Sequence, residues 1–158
     1  MENHSVVKLE GFSRVQIEED GRIVGDSGFV GPNQITNDGV LNYIVDALGS
    51  SNTRKYVSYV ALGTGGAPAS NATALAGEIT SSTKREAVTF ANVASTTAQF
   101  TATFASSDSF LAGTSNLSNI GLFASSAANA LFAGNTYTSS SCATNQNVNV
   151  TYQIRFTR

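Results

Sequence analysis

The chain has 158 residues and a net charge of −2, and only 13 % of its side chains are charged, about half the roughly 25 % usual in soluble proteins. No clustered basic patch offers nucleic acid an electrostatic footprint, and no run of about 18 apolar residues offers a membrane span. A single cysteine excludes an intrachain disulfide, and a single histidine leaves little material for acid–base or metal chemistry.

Residues 1–10, "MENHSVVKLE", read as an N-terminal arm, and residues 11–158 as one β-rich domain. The arm has no basic flank leading into an apolar stretch, so no signal peptide is expected. "FSRVQIEEDGRIVGDS" reads as a hairpin. Val15 and Ile17 alternate with polar neighbours, and Asp20-Gly21 supplies the turn. "TNDGVLNYIVDALGS" reads as the one helix. Thr36 or Asn37 caps it, Val40, Leu41, Ile44, Val45 and Leu48 form its apolar face, and Gly49 stops it. Leu41, Ile44 and Leu48 are therefore expected to pack on the β-structure.

Strands are predicted at "KYVSYVALG", "EAVTFANVA", "AQFTATFAS", "LSNIGLFAS", "ALFAGNTYT" and "NVNVTYQIRFTR". In the last of these Val148, Val150, Tyr152, Ile154 and Phe156 alternate with polar residues, the pattern of a strand with one buried face. Short strands separated by serine- and asparagine-rich turns predict a mainly β domain, an antiparallel sandwich or barrel, with one helix in its N-terminal half.

"YVALGTGGAP" invites a nucleotide-binding reading, which its chemistry does not support. A Walker loop needs lysine followed by serine or threonine at fixed spacing, but Ala67, Pro68 and Ala69 follow the glycines. The dinucleotide fingerprint needs a third glycine that opens a helix. Gly63, Gly65 and Gly66 are instead expected to serve backbone geometry, at least one of them at positive φ.

Glu18, Glu19 and Asp20 are acidic enough to attract a hard cation, but they lack the EF-hand spacing and read as a charged hairpin tip. Cys142, in the polar stretch "SSSCATNQN", reads as an unactivated thiol in a loop. A serine hydrolase would have to recruit His4 from the arm. The Asn-X-Ser/Thr sequences at Asn3, Asn71, Asn116 and Asn149 carry no weight without secretion. No catalytic, cofactor-binding or metal residue is therefore assigned, and an enzyme is not expected.

Seventeen of the 20 charged residues lie within 1–86, and beyond Glu86 only Asp108, Arg155 and Arg158 remain. Isolated monomers usually intersperse charge on their surfaces. A neutral half suits a surface that partners cover.

Taken in order, "GRIVGDSGFVGPNQITNDGVLNYIVDALG", "VSYVALGTGGAPASNATALAGEI", the arginine-led "KREAVTF", "LSNIGLFASSAANALFAGNTY" and the closing strand resemble a recurrent type of tailed-bacteriophage virion protein. In that family an N-x-I-T-N-x-G helix start is followed by an A-L-G-T-G loop, an L-A-x-E turn, a G-L-F strand and a terminal strand. The likeness spans roughly residues 11 to 158. One departure stands out: where the family often has an acidic residue before G-L-F, this chain has Asn119 and Ile120.

The resemblance implies a non-enzymatic, oligomeric building block of the virion. The leading expectation is a capsid decoration (cement) protein that binds the major capsid protein, without cofactor, nucleic acid or membrane. It would form a homotrimer through contacts from residues 87–154, and Thr101 would lie on the contacting face. A tail-fibre or baseplate component is the alternative. A lone carbohydrate-binding sandwich is a third, disfavoured by the absence of tryptophan.

Overall fold

The computed structural model describes residues 6–49, 52–80 and 85–158. Among these residues ten strands form two five-stranded antiparallel sheets, packed as a sandwich. The first sheet has the order β2 (Arg22–Asp26), β1 (Lys8–Glu19), β10 (Asn147–Thr157), β7 (Thr97–Phe104) and β6 (Thr89–Ala94). The second has the order β3 (Gln34–Ile35), β9 (Leu131–Cys142), β8 (Ser115–Phe123), β4 (Tyr59–Gly63) and β5 (Arg85–Ala87). The alternation seen in the sequence is the alternation of burial. Val15 and Ile17 of β1 and Val148, Val150, Tyr152 and Ile154 of β10 face inward against Leu62, Leu117, Ile120 and Leu122.

The first and last strands lie side by side, paired from Lys8↔Thr157 to Glu18↔Asn147. Lys8, Leu9 and Glu10, read from sequence as part of the arm, are thus the opening residues of β1. The β1–β2 hairpin turns at Asp20 and Gly21, whose φ values of 50° and 77° are those of a left-handed turn matched to strand twist. Between the sheets, the Asn135 amide donates to Ser13 Oγ at 3.1 Å and to the Val30 carbonyl at 2.7 Å. These bonds satisfy polar groups that the sandwich buries.

The helical segment departs from expectation. Gly39–Val45 winds as a wide π-type coil, followed by one 3₁₀ turn at Asp46–Leu48. Thr36 caps it by accepting the Gly39 amide at 2.9 Å. Its buried residues are Gly39 and Tyr43, with Ile44 half-buried, whereas Leu41 is 56 % and Leu48 86 % exposed. The reason lies in Gly39. A Cβ there would sit 2.1 Å from the Phe132 carbonyl oxygen, so the coil rests on β9 through this glycine. The Tyr43 ring then lies 5.0 Å from Phe132, and its hydroxyl donates to the Ala130 carbonyl. The stripe read from α-helical spacing therefore faces outward at Leu41 and Leu48. Leu48→Ala should change the unfolding free energy from urea titration negligibly, within about 0.5 kcal/mol. A loss above about 2 kcal/mol would mean that Leu48 is covered after all.

Candidate functional site

The glycine loop after β4 is bound to its neighbours rather than open to a ligand. Gly63, Gly65 and Gly66 are all outside the left-handed region, contrary to expectation; Gly77, in the facing turn, has φ 61°. Close approach explains Gly63 and Gly65. A Cβ on Gly65 would lie 2.3 Å from the Ala76 carbonyl oxygen, and one on Gly63 would lie 2.4 Å from Asn119 Oδ1. The loop amide of Thr64 donates to the Gly77 carbonyl at 3.0 Å, and Ile79 N–H donates to Leu62 O at 2.9 Å. From β8, Ser118 Oγ donates to Gly65 O at 2.9 Å, while Asn119 Nδ2 donates to Gly66 O at 3.0 Å and Ala76 O at 2.9 Å. The loop offers its carbonyls to side chains, the opposite polarity from a phosphate cradle.

Arg85 opens β5 and is almost wholly buried. Its guanidinium grips Glu78 with two bonds, Nε–Oε1 at 2.7 Å and Nη2–Oε2 at 3.0 Å. Nη1 donates to the Ser125 and Ala128 carbonyls at 2.8 and 2.9 Å. The same group lies 3.6 Å from the centre of the Phe123 ring. Charge, planarity and aromatic contact are all used here, as the arginine fork permits. The arginine-led strand, the L-A-x-E turn and the G-L-F strand thus meet at one buried ion pair.

The acidic hairpin tip does not converge on a cation. Asn149 Nδ2 donates to Glu18 Oε2 at 2.9 Å, and Glu19 accepts from the Asn145 and Gln146 amides at 3.0 Å each. Among the described residues, no three His, Cys, Asp or Glu side chains are grouped to hold a metal ion. His4 lies outside the described residues.

Cys142 is not in a loop but at the end of β9, with its side chain fully buried in the core. Burial pushes the thiol up to about 11, so it stays protonated. The native protein should leave Ellman's reagent unreacted at pH 8 and release one thiol equivalent only on unfolding. Rapid reaction under native conditions would place Cys142 at the surface.

Glu86, next to Arg85, has one carboxylate oxygen buried without a hydrogen-bond partner. Desolvation, with a smaller contribution from Asp108, raises its pKa above the ordinary 4.5. Because the folded value is the higher one, this carboxyl disfavours the fold once ionised, and stability rises as pH falls from neutrality toward 4.5. Glu86→Gln should raise Tm at pH 7 and leave it nearly unchanged at pH 4, where the wild-type carboxyl is already neutral. Equal shifts at both pH values would refute the electrostatic cause.

One further feature was not evident from the sequence. At the end of the sandwich, a groove of about 200 Å³ lies between the helical segment and the first sheet, lined by Tyr43, Ile44, Tyr56, Phe100, Phe132 and Phe156 among others. Phe156, expected to point into the core, is 41 % exposed at its mouth. Phe90 lies beside it at the edge of the sheet, with its ring 5.6 Å from that of Phe100.

No protein family, curated protein or solved structure matches the chain. Among the described residues, no helix is long and apolar enough to cross a membrane.

Proposed function

We propose that the chain is a structural protein of a tailed-bacteriophage virion. Within the virion it acts as a capsid decoration protein, an assembly of identical chains that binds the major capsid protein and reinforces the shell. One observation carries this reading. Three of the segments on which the family resemblance rests, the A-L-G-T-G loop, the L-A-x-E turn and the G-L-F strand, are far apart in sequence and are joined at the second sheet, together with Arg85. The A-L-G-T-G loop is held by Asn119 just before G-L-F, and the L-A-x-E glutamate is held by Arg85 beneath it. The amide of Asn119 and one guanidinium nitrogen of Arg85 are spent on backbone carbonyls, so their pattern is that of a scaffold. The resemblance supplies the virion setting, and the neutral second half suits burial against other subunits.

The test is the copy number of this protein in purified particles, read as band intensity against the major capsid protein. A near-stoichiometric ratio is expected. A few copies per particle would move the protein to the tail, and its absence from particles would overturn the virion reading.

A further inference from the structure

Among the described residues the two sheets have four free edges, and three of them are guarded against further pairing. β3 is two residues long. β5 is three residues long. β2 carries Arg22 and Asp26 at its ends, and Asp26 is tied to Arg14. These are the devices by which proteins blunt strand edges: shortness and charge. β6 has neither. It runs for six residues, Thr89–Ala94, every one of them exposed, with no charge and no proline. Among the described residues nothing pairs with its outer side.

We infer that β6 is a self-association edge, and that its occupant is β6 of a second copy of this chain. Three observations select that occupant. The surrounding stretch, residues 87–107, is free of charge, so two copies meet along it without repulsion and a charge-recognised partner finds nothing to read. A strand edge needs another open edge, and the three guarded edges leave β6 as the matching one on a second copy. The edge is also continuous with apolar surface: Phe90 is 56 % and Val93 48 % exposed, and the Phe90 ring packs at a tilt against Phe100, which lines the groove.

A register shift between Asn92 and Ala94 leaves Thr89–Asn92 as the regular part of the edge. Pairing so short a segment buries far less than the roughly 1,200 Å² of a stable interface, so the apolar side chains and groove mouths beside the seam must supply the rest. Like-to-like antiparallel pairing has a twofold axis. The unit formed is a dimer, in contrast to the trimer expected from the sequence. This inference goes beyond the virion reading and does not depend on it.

Light scattering on the purified full chain should give twice the 16.4 kDa chain mass. Ala91→Lys places a charge on the exposed edge and should weaken the dimer by about tenfold or more, with circular dichroism and Tm unchanged. Val24→Lys, on the guarded β2 edge, should leave the mass as it was. Independently, Ala91→Cys should form a disulfide-linked dimer on mild oxidation, and Val24→Cys should not. A monomer at high concentration, a trimer indifferent to Ala91→Lys, or equal crosslinking at both positions would overturn the inference. Dimers in solution from a protein absent from virions would sink the proposed function and leave this one standing.

Discussion

Arg85→Ala is expected to destabilise the domain by about 3–5 kcal/mol, the usual cost of removing one partner from a buried ion pair. The side chain of Arg85 is 2 % exposed and that of Glu78 12 %. Truncation therefore leaves a carboxylate with little solvent to receive it. It also orphans the Ser125 and Ala128 carbonyls and uncovers the Phe123 ring. Arg85→Lys should recover little, since an ammonium cannot span two carboxylate oxygens and two carbonyls at once. Urea titration of both variants measures the loss, and a double-mutant cycle with Glu78→Ala isolates the pair. The Arg85→Ala change should cost much less when Glu78 is already alanine. A loss below about 1 kcal/mol in the wild-type background would mean that the pair behaves as a surface salt bridge.

The strands were legible because period-two alternation and burial have the same cause: one face of each strand meets the other sheet. β10 shows this most fully, and its one exception, Phe156, lies in the groove beside the helical segment. Asp20-Gly21 was legible because a left-handed turn demands such residues. The helical segment was misread because the apolar residues at α-helical spacing say which side is greasy. They do not say which side can come close, and at Gly39 contact with the Phe132 carbonyl decides that. Cys142 was misplaced because serine and threonine neighbours look like a loop, whereas they are the outward positions of a long strand end. In the glycine loop after β4 the structural reading holds for Gly63 and Gly65, but the mechanism is close packing rather than positive φ. Neither the groove nor the bare edge of β6 could be read in advance. Both depend on how strands distant in sequence are ordered and packed, which no local pattern encodes.

Asn119 is where the chain departs from the resemblance, and the structure provides a reason that can be tested. The side chain is fully buried, and both of its bonds are donated, to the carbonyls of Gly66 and Ala76. Asn119→Ala removes both donors from the carbonyls of Gly66 and Ala76, residues that are themselves exposed; at about 0.5–1.5 kcal/mol for each bond, a loss of about 1–3 kcal/mol is expected. Asn119→Asp keeps the shape and reverses the polarity. An ionised carboxylate would face two carbonyl oxygens with no counter-charge among its hydrogen-bond partners, so at pH 7 this variant should lose at least as much as Asn119→Ala. The sign of its pH dependence follows. Burial beside acceptors raises the folded pKa of the introduced carboxyl, so its penalty is full above that value and shrinks as pH falls toward the unfolded value near 4. Below that point the neutral acid can donate one of the two missing bonds. Denaturation curves at pH 7 and pH 4.5 should show the gap between Asn119→Asp and wild type narrowing at the lower pH, while the gap for Asn119→Ala stays constant. An Asn119→Asp variant as stable as wild type at pH 7 would mean that the loop is held by the backbone and Ser118 alone, and that Asn119 is no clamp.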